Sequence, residues 1–145
     1  MKTLIIYKSN YQLNTEKIAK VMAKVMNAEL AKIEDVQPED LEKYDLIGFG
    51  SGIYASALHK RLYKFAEEMP FMNKNVFIFC TSGSGRLDER HPIREKFLEK
   101  GCKVVGEFSC FGEFKMLGFS LDKKGHPDEK DIESARVFAK GLMNL

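Results

Sequence analysis

The sequence predicts an α/β fold, a doubly wound five-stranded parallel sheet with strand order 2-1-3-4-5 and helices on both faces. Apolar runs with β-branched or aromatic character recur along the chain and alternate with helical patterns, which is typical of parallel α/β units. Most of these runs carry consecutive apolar residues, as strands covered on both faces do. The length of 145 residues, 44% of them hydrophobic, suits one domain, and no linker-like stretch divides residues 1–145.

Five segments are predicted to be strands, and the second of them is polar enough to favour an edge of the sheet. In chain order they are Thr3–Tyr7, Glu29–Ile33, Asp45–Phe49, Asn75–Cys80 and Lys103–Phe108. Right-handed crossovers with this element order commonly give the sequence 2-1-3-4-5, whose switch point lies between the first and third strands.

Four helices are predicted from apolar residues at i, i+3, i+4 and i+7, each set marking one buried face. The first helix spans Glu16–Asn27, and a short helical turn is expected at Pro38–Lys43. Pro92 and Pro127 precede the third and fourth helices, where a first-turn proline is tolerated. The four buried sets are Ile18, Val21, Met22 and Val25; Leu58, Leu62, Phe65, Ala66 and Met69; Ile93, Phe97 and Leu98; and Ile132, Ala135, Phe138 and Leu142.

Composition excludes several classes of function. The net charge is +2 with both signs mixed along the chain, so no nucleic-acid stripe is present. The odd set of Cys80, Cys102 and Cys110 matches no zinc or CxxC spacing and predicts free, incidental thiols in a cytoplasmic protein. No apolar run approaches the roughly 20 residues of a membrane span, so we expect no membrane segment.

Ligands of doubly wound folds bind beyond the carboxyl ends of the strands at the switch point. This rule selects three loops, Lys8–Thr15, Gly50–Ala57 and Thr81–His91. A fourth stretch, Cys110–Gly125, is predicted to be irregular and leaves the last strand on the same rim. Its length and its aromatic residues are compatible with a functional loop.

The first loop has the composition of an anion site. Its seven residues, Ser9–Thr15, include five hydroxyl or amide side chains and lead directly into a helix, whose amino terminus attracts a phosphate. Simple capping of that helix by Asn14 or Thr15 uses the same residue types and remains an alternative.

The second loop has the spacing GxGxxA over Gly50–Ala55, which raises the question of a dinucleotide fingerprint. We disfavour that function because the motif follows the wrong strand and no acidic residue closes the next one. The glycines Gly50 and Gly52 favour instead the close approach of a flat ligand, and Tyr54 offers a ring for stacking. Covering the sheet edge is the alternative role for Tyr54. The third loop, with Ser82 and Gly83, supplies hydroxyls and free N–H groups, or serves as a flexible turn.

Taken together, these loops resemble those of the flavodoxin-like family. The segment Leu4–Ala19 is similar to the family's phosphate loop, Asp45–Tyr54 to its second flavin loop, and Thr81–Gly83 to its third. The resemblance covers nearly the whole chain, including the Gly125–Glu129 entry to the last helix. It implies a flavodoxin-like doubly wound fold and an FMN cofactor.

The resemblance also implies which residues bind FMN. One group would hold the phosphate, a second would lie along the isoalloxazine ring, and a third would lie at its far edge. They are Ser9, Asn10, Tyr11, Gln12, Asn14 and Thr15; Ser51, Gly52, Ile53 and Tyr54; and Ser82 and Gly83. The chain departs from the family at Leu13, which stands where the family has Gly. If that position needs a positive φ, Leu13 costs about 1 kcal/mol and weakens FMN binding.

Electron transfer between a reductase and an acceptor protein is the function that the resemblance favours, with a monomer or a weak dimer expected. Two alternatives stay open. One is a flavodoxin-type oxidoreductase acting on a quinone or a porphyrinogen, with the aromatic Cys110–Gly125 stretch as an apolar wall. The other is a flavin-free binding module with a degenerate phosphate loop. The charge of +2 differs from the strongly acidic electron carriers of the family, which leaves the partner unnamed.

Other candidate sites are weak. No acidic pair follows the first strand, which excludes the phosphoacceptor chemistry of receiver domains, and no catalytic residue or metal ligand is assigned. The three histidines His59, His91 and His126 lack ligand spacing and are expected to be solvated or capping residues. A basic turn of Lys60, Arg61 and Lys64 is a solvated face or, less favoured, a docking patch.

Overall fold

The computed structural model describes residues 1–8, 14–54, 57–82, 93–111, 115–116, 119–120 and 129–144. Four α-helices and eight strands lie in these ranges, together with 3₁₀ helices at Ile33–Asp35 and Pro38–Lys43. The strands are β1 (Thr3–Lys8), β2 (Glu29–Lys32), β3 (Leu46–Tyr54), β4 (Ala57–Leu58), β5 (Asn75–Ser82), β6 (Lys103–Phe111), β7 (Lys115–Met116) and β8 (Phe119–Ser120). The helices are α1 (Asn14–Met26), α2 (Lys60–Glu68), α3 (Ile93–Glu99) and α4 (Glu129–Met143).

The main sheet confirms the predicted topology. Its five long strands are all parallel in the order β2-β1-β3-β5-β6, which is 2-1-3-4-5 when these strands alone are counted. The polar strand β2 lies at the edge, as expected. Its residues are therefore only half-buried or exposed. The switch point therefore lies between β1 and β3.

Helices cover both faces of the sheet and divide the core in two. One apolar cluster joins β1, β3 and β5 to α2, α3 and the 3₁₀ segments, and its largest fully buried rings are Phe49 and Phe97. The other cluster joins the opposite face of the same strands to α1 and α4 through Ile18, Met22 and Ala139. Alternate residues of each central strand feed the two clusters, which explains their nearly continuous apolar sequences.

The strand β3 is longer than predicted. We expected it to end at Phe49 and a loop to begin at Gly50, but the strand continues to Tyr54. The backbone beyond Phe49 pairs with neighbours on both sides, with Ser51 opposite Lys8 of β1 and Gly52 opposite Thr81 of β5. The two-residue strand β4 then pairs antiparallel with β3. Leu58 therefore lies in a strand and not in the helix predicted for it.

The glycine-rich sequence of β3 suggested a loop, but packing gives two of its glycines a different role. A Cβ atom at Gly50 would lie closer than 3.0 Å to the buried ring of Phe79, and one at Gly48 would overlap Phe77 in the same way. Each glycine faces its aromatic partner across β3 and β5. Gly50 therefore makes room for a core phenylalanine, which corrects the expectation that it admits a flat ligand.

Smaller differences concern element ends. Ile33 starts a 3₁₀ helix instead of ending β2, and the predicted turn at Pro38–Lys43 is confirmed as a 3₁₀ helix. Leu98 is 54% exposed because Ile93 and Phe97, four residues apart, already define the buried side of α3. The stretch Cys110–Gly125 is not wholly irregular, since β6 reaches Phe111 and β7 pairs with β8. Pro92, Pro127 and the rest of that stretch lie outside the described residues.

Candidate functional site

The carboxyl ends of β1, β3 and β5 meet at one edge of the sheet, as the topology predicts. Lys8, the last residue of β1, pairs with Ser51, and Gly52 pairs with Thr81. Helix α1 begins at Asn14, six residues after the end of β1. Segments of all three predicted loops are therefore neighbours in space.

This edge holds nearly all of the buried polar residues that the structure describes. Asn14 and Thr15 are buried at the start of α1, Ser51 is fully buried near the end of β3, and Thr81 is buried in β5. The fifth member of that class, Thr3, lies at the opposite end of the sheet. Because a buried polar group is costly unless it is hydrogen-bonded, these side chains need hydrogen-bond partners at this edge.

A pair of hydroxyls joins the first and third loops. Thr15 Oγ1 and Thr81 Oγ1 lie 2.9 Å apart and are hydrogen-bonded, and either atom can donate. Thr15 belongs to the first turn of α1 and Thr81 is the second-last residue of β5, so the contact connects the start of the helix to the carboxyl end of the strand.

A second contact holds the start of α1 against β1. The Tyr7 hydroxyl donates a 2.6 Å hydrogen bond to Glu16 Oε1 in the first turn of the helix. Burial of Tyr7, followed by this hydrogen bond, raises the pKa of the phenol to about 12. Glu16 also lies 3.9 Å from Lys20, one turn further along. The two ends of the first loop are thus held in a defined relation.

The β3–β4 hairpin is fastened to the start of α2. Ser51 Oγ accepts a 3.0 Å hydrogen bond from the His59 backbone N–H and donates a 2.6 Å bond to the Gly52 carbonyl. The Leu58 N–H donates to the Tyr63 hydroxyl at 3.1 Å. The Ser51 side chain is therefore engaged inside the protein, on the face that α2 covers.

His59 is the amino-terminal cap of α2, in agreement with the capping role expected for it. Its Nδ1 accepts a 3.0 Å hydrogen bond from the Arg61 N–H. Burial, and then the positive charge of Lys8, lower the pKa of the imidazole, which favours the neutral form that this cap requires. His91 and His126 lie outside the described residues.

The basic turn beside the site lines a groove of about 190 Å³ between the 3₁₀ segments and α2. Arg61 and Lys64 are on its wall, but Glu34 and Glu68 are as well, and the Lys8 ammonium forms an ion pair with Glu34. The charges of the groove are nearly balanced, which favours a solvated face over a docking patch for an anionic partner.

Cys80 and Cys102 are buried free thiols, as expected, and burial raises the pKa of Cys80 to about 12. A thiol held so firmly in its neutral form is a poor nucleophile. Cys110 is the partner of Thr81 in the β5–β6 register. Within the described ranges, no group of three His, Cys, Asp or Glu residues is placed to hold a metal, and no helix has the length and apolarity to cross a membrane.

The structure describes seven of the twelve residues predicted to bind FMN, at least in their backbone. Thr15 contacts Thr81 near the end of β5, Asn14 is the first residue of α1, and Ser51 and Gly52 lie on the neighbouring strand β3. Ile53 and Tyr54 are the last residues of β3, and Ser82 is the last of β5. Outside the described residues lie the rest of the predicted set and the departure from the family pattern, namely Ser9, Asn10, Tyr11, Gln12, Leu13 and Gly83.

Two contributors to the site were missed in the sequence. The sequence predicts Thr81 in the third loop but outside the binding set, and it predicts Glu16 only as part of the first helix. A hydroxyl residue at the end of an otherwise apolar strand was a usable signal for Thr81. No local signal identified Glu16, because its partner Tyr7 lies on the other side of the loop.

The fold and the site together define a doubly wound α/β protein with buried polar residues at its switch point. A family model described as a flavodoxin domain matches residues 4–118. The chain therefore belongs to the flavodoxin-domain family.

Two relatives and a solved structure are similar to this chain over nearly its whole length. An uncharacterized protein of Methanocaldococcus jannaschii is 45% identical, and the alignment covers 99% of each chain. The flavodoxin-like domain-containing protein BilS of Clostridioides difficile is 28% identical over 99% of this chain and 97% of its own. Among solved structures, a flavodoxin from the domain Archaea superimposes with a TM-score of 0.73 at 20% identity, covering 98% of this chain and 96% of that one. This last likeness shows a shared fold.

Proposed function

We propose that this protein binds FMN at the carboxyl edge of β1, β3 and β5 and acts in electron transfer. The observation that carries the proposal is the cluster of buried polar side chains at this edge, in a chain that belongs to the flavodoxin-domain family. Asn14 and Thr15 supply hydrogen-bonding groups at the amino terminus of a 13-residue helix, where the helix dipole favours an anion.

The residues present fit an FMN phosphate by their chemistry. The cluster contains hydroxyls and an amide, which can donate to phosphate oxygens, and it contains no carboxylate among its buried side chains. Glu16, the acidic residue of the first turn, is occupied by the Tyr7 hydroxyl. Asn14 and Thr15, with the loop that precedes them, would hold the phosphate, and the end of β3 would support the ring.

FMN supplies the redox chemistry when it is bound. The task of the chain is to bind the cofactor, to orient it and to set its surroundings. The fastening of the β3–β4 hairpin through Ser51 and His59 gives the second loop a rigid base for that task.

The proposal is tested by reconstitution. Purified protein is incubated with FMN, freed of unbound cofactor and examined by visible absorption, and the affinity is measured by quenching of FMN fluorescence. We expect a yellow protein with one FMN per chain. A colourless protein that leaves FMN fluorescence unchanged would overturn the assignment.

Tyr54 offers a sharper test of the ring site. We expect Tyr54→Ala to weaken FMN binding by about 1 kcal/mol, because a stacked aromatic contact is lost. The conservative variant Tyr54→Phe keeps the ring and should retain the affinity of the native protein. Equal affinities for all three proteins would remove Tyr54 from the site.

Electron transfer is then separated from direct catalysis by the choice of acceptor. FMN-loaded protein is reduced chemically. Its reoxidation is then followed with quinones and, separately, with a redox protein that accepts electrons from flavodoxins. We expect fast exchange with the protein acceptor. Turnover that saturates with a quinone and is absent with protein acceptors would favour an oxidoreductase instead.

A further inference from the structure

The hydroxyls of Thr15 and Thr81 form a hydrogen bond between α1 and β5 in which either can donate, and the proposed function needs one of the two directions. We propose that Thr81 is a positioning residue that makes the Thr15 hydroxyl a committed donor to the phosphate of FMN. The inference rests on the proposed FMN site. It gives a specific role to a residue outside the set predicted to bind FMN.

A threonine hydroxyl carries one proton and two lone pairs, so it can donate one hydrogen bond and accept others. A phosphate oxygen only accepts hydrogen bonds. If Thr15 donates its one proton to Thr81, its hydroxyl has no proton left to donate to the phosphate. In the 2.9 Å contact the proton must therefore come from Thr81 whenever Thr15 serves the phosphate.

The surroundings of Thr81 suit a residue that positions another. Thr81 is 4% exposed, and its strand is paired on both sides, with Gly52 of β3 and Cys110 of β6 as its neighbours. Thr15 is 3% exposed, so water competes little for either hydroxyl. A donor held on a strand that is paired on both sides fixes the rotamer of Thr15 more firmly than solvent would.

The bond is also expected to strengthen the phosphate contact. When Thr81 donates to Thr15, the oxygen of Thr15 is polarised and its own proton becomes a better donor, as in other chains of hydrogen bonds. The effect depends on the phosphate. Riboflavin shares the ring but lacks the phosphate, so its affinity should not depend on the hydrogen bond between Thr81 and Thr15.

The test compares FMN with riboflavin in Thr81→Val, a nearly isosteric change that suits a strand. We expect the dissociation constant for FMN to rise about fivefold, the equivalent of one hydrogen bond, and that for riboflavin to stay within about twofold. Thr81→Ser restores the hydroxyl and should restore FMN affinity. Thr81→Ala removes the hydroxyl without branching, in case valine disturbs the packing.

Thr3→Val is the matched control. Thr3 is also a buried strand threonine, but it lies at the other end of the sheet, and its hydroxyl has no hydrogen-bond partner among the described residues. Its removal should leave both flavin affinities unchanged. A double variant, Thr15→Val with Thr81→Val, should bind FMN no worse than Thr15→Val alone, because Thr81 acts through Thr15.

The outcomes separate this inference from the function on which it rests. Native protein that binds no FMN overturns the proposed function and the role of Thr81 with it. Native FMN binding with an unchanged FMN to riboflavin ratio in Thr81→Val overturns the role of Thr81 alone. An equal change in Thr3→Val would do the same.

Discussion

At the scale of single residues, the space beside each side chain explains choices that local sequence rules do not. Gly50 lies in a strand, where glycine is usually unfavourable, yet the ring of Phe79 occupies the volume that a Cβ atom would need. Phe79 is fully buried and faces Phe77 in a stacked arrangement with centroids 6.1 Å apart. The ring therefore has little freedom to retreat.

We predict that Gly50→Ala lowers the free energy of unfolding by about 1 to 3 kcal/mol, the usual cost of overpacking a core. Urea unfolding measures the change. Gly141→Ala is the matched control, because Gly141 lies in α4 with nothing within 4 Å of its would-be Cβ. That change should stabilise the protein by roughly 0.5 to 1 kcal/mol through helix propensity. Similar effects of the two substitutions would contradict the packing role of Gly50.

At the scale of elements, short contacts between element ends hold the site together. Tyr7 joins β1 to α1, Thr15 joins α1 to β5, and Ser51 joins β3 to the start of α2. Each bond lies near the carboxyl edge and connects residues from different secondary-structure elements. The helices are thus fixed relative to the strands where a ligand needs rigid supports.

The cap of α2 makes one of these junctions sensitive to pH. His59 must be neutral at Nδ1 to accept from Arg61, and its folded pKa is below the ordinary value of 6.5 because of burial and nearby cations. As the pH falls, His59 therefore binds a proton in the unfolded chain at a higher pH than in the folded protein. The stabilising contribution is complete above about pH 6.5 and is lost as the pH drops toward the folded pKa.

We accordingly predict that the native protein loses stability between pH 7.5 and pH 5.5 by more than the variant His59→Asn does. Asparagine is a good cap that does not titrate, and a helix cap contributes about 1 kcal/mol. Urea unfolding of both proteins at the two pH values gives the comparison. Parallel losses would show that His59 does not contribute to the pH dependence.

At the scale of the whole molecule, the site exists only when distant segments come together. Thr15 and Thr81 are 66 positions apart in the chain, so the unfolded protein has no comparable arrangement. A ligand that binds only the folded state stabilises it by mass action.

We predict that FMN at a concentration of 100 times its dissociation constant raises the free energy of unfolding by about 2.7 kcal/mol. For a chain of this length the melting temperature should rise by several degrees, measured by calorimetry or by circular dichroism. Riboflavin at the same concentration serves as the control, with a smaller shift if the phosphate contributes to affinity. Binding that left the melting temperature unchanged would contradict a site formed on folding.

The order of elements and the strand topology could be read from the sequence, because both follow from patterns that are local. Ile18 and Met22 marked the buried face of α1, and the apolar run Asn75–Cys80 marked a central strand. The polarity of Glu29–Lys32 placed β2 at the edge. Once the order was known, the handedness of crossovers determined which loops share the carboxyl edge.

Only the tertiary structure decided how those loops are held and what their residues are used for. It extended β3 through the glycines that sequence rules assign to a loop, since the room for Phe77 and Phe79 depends on the neighbouring strand. It engaged Ser51 with the backbone of His59 and brought Thr81 to Thr15. The sequence by itself determined the fold and the family, because hydrophobic periodicity and loop motifs are carried by nearby residues. The roles of Gly50, Ser51 and Thr81 depend on contacts between residues far apart in the chain, which no local pattern encodes.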